Sequence, residues 1–188
     1  MINDAVQHII TELNRYLNLR SASLSSDRIV QGNLLTQGGD VTMEANDKVV
    51  MSLVNVEEER LFRTVDHNQL QDDGSYAKIR PEMRLNLYLL FIANLTDYDE
   101  ALKALSHIIS FFQHRSYFEY ADIPALSSMQ GRLIFDLHSL TFEEQNHLWG
   151  ALGAKYLPSV MYKMRVILLR DEQIEAEMPA VTILDIRE

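Results

Sequence analysis

The segment from Asp47 to Glu58 sets the tightest limit on what this chain can fold into. Val49, Met51 and Leu53 fall on one side of an extended chain, and Val50, Val54 and Val56 on the other. A strand that is apolar on both sides belongs in the interior of a sheet that is covered above and below. Glu82–Asn94 gives a second long strand with a graded pattern. Met83, Leu85, Leu87, Leu89 and Phe91 share one face, while the other opens with Arg84 and Asn86 and turns apolar at Tyr88, Leu90 and Ile92. One end of that strand is expected at the surface or an interface, and the other deep in the core.

Helices must supply the covering layers. Asp4 to about Leu19 carries Val6, Ile9, Ile10, Leu13, Tyr16 and Leu17 at helical spacing, with Asn3 or Asp4 to cap it. The longest helix is expected at about Asp97–His114, where Tyr98, Ala101, Leu102, Leu105, Ile108, Ile109 and Phe112 line one face. Either Thr96 with Asp99 or Asp97 with Glu100 supplies its cap. A third unit, Ser139–Leu169, reads as a capped helix, a glycine turn and a strand. Thr141 and Glu144 have capping-box spacing, Phe142, Trp149 and Leu152 share a helical face, and Gly150 and Gly153 let the helix stop. After Pro158, Tyr162, Met164, Val166 and Leu168 alternate with Met161, Lys163, Arg165, Ile167 and Leu169.

The remaining segments are shorter. Arg28–Leu35 reads as a strand weakened by Gly32, Tyr117–Tyr120 as a brief extension, Ile123–Gly131 as a loop and Arg132–Leu140 as a strand. Ala180–Arg187 alternates as a terminal strand. Leu61–Pro81 has no clear period, so it is either a hairpin or an arm that orders on a partner. Helices and strands do not alternate regularly, which favours an α+β single domain: a mixed or mostly antiparallel sheet packed with three helices. The domain is expected to occupy residues 1–170, with an acidic tail over 171–188.

Three stretches resemble the tail-terminator (cap) family of phage-tail-like contractile injection systems. They are KVVMSLVNVEEERLFR at Lys48–Arg63, LNLYLLFIANLTDYDEALKALSHIISFFQ at Leu85–Gln113, and FEEQNHLWGALGAKYLPSVMYKMRV at residues 142–166, in the family's order. The resemblance implies the same α+β class. It also implies a structural protein that ends the tube and sheath of the particle, with a sixfold ring of copies of itself and the tube and sheath proteins as partners. Assembly in the cytoplasm, as part of a particle that is later released, follows from the same resemblance.

Composition is consistent with that reading. At 188 residues, 47% of them hydrophobic, the chain is long enough to bury a core without cross-links. It has no cysteine, which excludes thiol catalysis, cysteine zinc sites and disulfides. A net charge of −10 argues against nucleic acid as a partner, and half of the excess lies in residues 171–188. No apolar run is long enough to span a bilayer, and MINDAVQH lacks the basic start and apolar core of a secretory signal.

No sequence motif points to catalysis or a cofactor. Glu143, Glu144 and His147 are the best metal candidates, because Glu144 and His147 have the Glu-x-x-His spacing of di-metal bundles. The chain has no second such motif, however, and the cap already explains Glu144. A hydrolase built from these residues with His138, and an adaptor that forms no ring, are the alternatives to the structural reading. The expectation is therefore of a non-enzyme with no metal and no cofactor. Its candidate contact residues are Glu57, Glu58, Glu59 and Arg60 at the end of one strand, Lys163 and Arg165 on another, and Trp149 as an aromatic anchor.

Overall fold

The computed structural model describes residues 2–20, 28–59, 68–70, 76–78, 83–129, 131–168 and 176–178. In chain order the elements are α1 (Ile2–Arg20), β1 (Ile29–Gln31), β2 (Lys48–Glu58), β3 (Asn68–Leu70), β4 (Tyr76–Lys78) and β5 (Met83–Asn94). They continue with α2 (Tyr98–His114), β6 (Tyr117–Glu119), β7 (Arg132–His138), α3 (Phe142–Leu152), β8 (Ser159–Leu168) and β9 (Ala176–Met178). Six strands form one sheet in the order β1-β2-β5-β8-β7-β6. Every neighbouring pair is antiparallel except β1 and β2. This is the α+β arrangement of three helices on a mostly antiparallel sheet that the sequence implies.

The strand patterns place a helical layer on each side of the sheet. On one face, Val49 and Met51 of β2, Leu87, Leu89 and Phe91 of β5, and Met164 and Val166 of β8 pack with α1 and α2. The ring of Phe112 stacks on Phe135 at 4.6 Å and lies 4.4 Å from Tyr162, tying α2 to β7 and β8. On the other face, Val50, Leu90, Ile92 and Met161 pack with Trp149 of α3 and with Leu34 and Ala45 from the β1–β2 connection. Asp97 caps α2, its carboxylate accepting from the N–H groups of Asp99 and Glu100, so Thr96 is not the cap. At α3 both halves of the Thr141–Glu144 capping box form, and Gly153 ends the helix at φ 65°.

Four local expectations are corrected. The buried stripe of α2 runs through Ala101, Ala104, Leu105, Ile108, Phe111 and Phe112, which leaves Tyr98 and Leu102 exposed. Phe142 does not join Trp149 in the core; at the first position of α3 it is 91% exposed. A β-bulge between Leu53 and Asn55 shifts the register of β2. One extra residue reverses the alternation beyond it, so Val56 opposite Leu87 lies on the Met51 face rather than with Val50. The strand expected over Arg28–Leu35 stops at Gln31, before Gly32.

A second sheet has the order β3-β4-β9, antiparallel throughout. β3 follows β2, β4 precedes β5 and β9 follows β8, so the small sheet repeats the order of the three central strands. Leu61–Pro81 thus contains a hairpin, one of the two readings open from sequence. Its third strand comes from within the acidic stretch, and the strand expected at Ala180–Arg187 lies outside the described residues.

Candidate assembly surface

Among the described residues, α3 covers one end of the sheet face on which it lies. Because side chains alternate, the residues of β5 on this face are Arg84, Asn86, Tyr88, Leu90 and Ile92. The last two lie in the core with Trp149, and Asn86 and Tyr88 stand beside charged residues of the neighbouring strands. Glu57 of β2 stands opposite Asn86, which on its other side stands opposite Arg165 of β8. Lys163 is paired with Tyr88 on one flank and Asp136 of β7 on the other. The other end of the face, away from α3, is therefore a polar strip across four strands.

Within the strip the charges are partly matched. The Tyr88 hydroxyl donates to a Glu57 carboxylate oxygen at 2.7 Å. That bond, with partial burial and the nearby charges of Glu57 and Glu59, holds the phenol pKa above its ordinary value. Arg165 donates through Nε at 3.1 Å and Nη2 at 2.5 Å to one oxygen of Asp136. Both partners are 45% exposed, so the pair adds little to stability. Lys163 is half-buried and has no ion pair among the described residues. Asn86 is only 6% exposed, and its side-chain carbonyl oxygen has no hydrogen-bond partner among the described residues.

The sequence candidates divide accordingly. Glu57, Lys163 and Arg165 lie on one face, Glu58 turns to the other, opposite Leu85, and Glu59 follows the end of β2. Arg60 lies outside the described residues. Trp149 is 5% exposed and packs against Tyr156 at 5.7 Å between ring centres, so in this chain it is a core residue. Asn86, Tyr88 and Asp136 were missed as members of the strip. The departure from apolar alternation at Arg84 and Asn86 marked the position, but only pairing shows what stands beside it.

Among the described residues, no group of three or more acidic, histidine or cysteine side chains could hold an ion. Glu144 accepts from the Thr141 N–H at 2.8 Å, and that bond with the Thr141 hydroxyl lowers its pKa. Glu143 and His147 are exposed on α3. No described helix is long and apolar enough to cross a membrane.

The fold is shared with two solved proteins described as a cap or a terminator. It superposes on the cap of the anti-feeding prophage, described as a tube-terminating cap, with a TM-score of 0.58 at 15% identity, covering 94% of this chain. It likewise superposes on the sheath/tube terminator of the extracellular contractile injection system PVC in its extended state, with a TM-score of 0.57 at 13% identity over 100% of this chain. The chain spans 58% and 64% of the length of those two proteins. No curated protein matches it by sequence. The chain belongs to the Pvc16 N-terminal domain family, whose model matches residues 4–183.

Proposed function

We propose that this protein caps and terminates the tube and sheath of a phage-tail-like contractile injection particle. The observation that carries the proposal is the match of nearly the whole chain to the Pvc16 N-terminal domain, in a fold shared with two proteins described as terminators. A terminator must present one face complementary to the last ring of a polymer and none to which a further ring can add. Head-to-tail contacts between identical copies close into a ring when the rotation per subunit allows it. In this reading the chain acts as a ring, sixfold as in the sequence expectation, with tube and sheath proteins as its partners. The polar strip with Glu57, Lys163 and Arg165 contributes to those contacts. Its role is structural rather than catalytic, and it is added during assembly before the particle leaves the cell.

The test is to add the purified chain to polymerising tube and sheath protein. Capping predicts extra density at filament ends and a narrower length distribution by electron microscopy. Unchanged lengths with bare ends contradict it.

A further inference from the structure

Phe142 opens α3 with its phenyl group almost entirely in water. The Thr141–Glu144 capping box fixes the backbone at this end of the helix, and Phe142 at the first helical position is 91% exposed. Single exposed apolar side chains are ordinary on a protein surface and by themselves mean little. Here the same chain also carries a place of matching chemistry. An open cleft of about 530 Å³ lies between the C-terminal half of α3 and the connection from β1 to β2, lined in part by Leu34, Leu35, Val54, Leu148 and Leu152. Leu35, Val54, Leu148 and Leu152 are only partly buried on the core cluster around Trp149, which leaves apolar surface toward the cleft.

A copy cannot fill its own cleft. From Phe142 to Leu152 the helix axis rises about 15 Å, so the phenyl group and the cleft lie at opposite ends of α3. Charge matches the two places as well. Glu143, beside Phe142, is exposed and has no ion pair among the described residues. Lys155, two residues beyond the cleft-lining Gly153, is likewise exposed and without an ion pair among them. Asp40, next to Gly39 on the rim that the β1–β2 connection supplies, is exposed and disfavours the reverse seating by like charge. Because the phenyl group and the cleft are different surfaces, a contact between them is head-to-tail, the kind that closes into a ring when the rotation per subunit allows it.

We propose that Phe142 of one copy seats in the cleft beside α3 of the next copy, with its Glu143 against the Lys155 of that neighbour. The aromatic anchor supplies affinity, and the charged pair at its rim sets orientation. Each copy carries a net charge of −10, so contact between copies needs a local match of this kind against the general repulsion. The contact rests on the reading of this protein as a ring of copies at the particle end, and it names the residues that hold neighbours together.

The test uses the full chain, with tube–sheath particles assembled without a cap and viewed by electron microscopy, and alone at high concentration by sedimentation. Phe142→Ala should weaken ring formation at particle ends at least about tenfold. It should leave the melting temperature of the free chain within a few degrees, because the side chain it removes is exposed. Glu143→Lys should weaken the ring as well, and adding Lys155→Glu to that variant should restore it, a rescue that a purely helix-stabilising role for Glu143 would not show. If the wild type caps, Phe142→Ala caps equally well and the charge swap has no effect, the contact between copies is wrong while capping stands. If the wild type binds no ends, capping falls; the contact then stands only if concentrated free chain self-associates and Phe142→Ala abolishes it. Association that stops at a closed dimer would overturn the head-to-tail contact.

Discussion

The Asn14 side chain of α1 donates to the Ile29 carbonyl and accepts from the Ile29 N–H, holding the edge strand β1, and its replacement with alanine tests that contact. Two hydrogen bonds to Ile29 are lost, each at 2.9 Å and part-buried. At about 0.5–1.5 kcal/mol per bond the loss is roughly 1–3 kcal/mol. Alanine is the better helix former inside α1 by about 0.6 kcal/mol, which offsets part of it. A net loss of about 1.5 kcal/mol corresponds to roughly 3–6 °C in melting temperature for a domain of this size. Thermal and urea unfolding should show that loss with the urea m-value unchanged. Native-state hydrogen exchange should show the Ile29 amide losing protection. Thr11→Ala is the control on the same helix: Thr11 is exposed, and its hydroxyl bonds the Gln7 carbonyl one turn earlier. It should stay within about 0.5 kcal/mol of wild type. If Asn14→Ala is as stable as wild type, with Ile29 still protected, Asn14 does not hold the β1 edge.

Three further substitutions address other parts of the account. Gly131 sits at φ 142°, and a Cβ there would lie 2.8 Å from Cε2 of the buried Tyr120 ring. Gly131→Ala should therefore lower stability in urea by about 2–4 kcal/mol, from backbone strain and overpacking together. Glu144 has a carboxyl pKa lowered by the Thr141 N–H, so its contribution to stability is complete above its unfolded value near 4.5. That contribution disappears as pH falls through the lower folded value. The stability gap between wild type and Glu144→Gln should therefore be full at neutral pH and close on acidification, and a constant gap would refute the assignment. Arg165→Ala removes a half-exposed ion pair and should change stability by no more than about 1 kcal/mol. A weakening of end binding by the same variant would place the polar strip in the contact.

The periodic elements of this fold were legible because burial leaves a direct trace in spacing. The two-faced pattern of β5 gave both its direction into the core and the change from polar to apolar at Tyr88, which the structure places where the cover of α3 begins. The bulge in β2 was not legible. Val54 and Asn55 carry no glycine or proline to mark it, and a one-residue shift is set by pairing with β5. β9 was hidden for a related reason: its partner β4 is about a hundred positions away in the chain, and its own residues read as an acidic tail. Asn14 looked like an ordinary polar residue on a helix surface. Its function depends on a strand edge that only tertiary structure brings beside it. The exposure of Leu53 and Val56 was likewise invisible, because both read as core positions in a strand covered on both sides.

Termination itself is tested most directly by the end structure of filaments grown from tube and sheath protein with and without this chain. The account predicts a ring of added density at the capped end, lengths narrowed relative to the untreated sample, and no further growth when fresh subunits are supplied. Filaments that bind the chain along their sides, or continue to elongate from decorated ends, would contradict it.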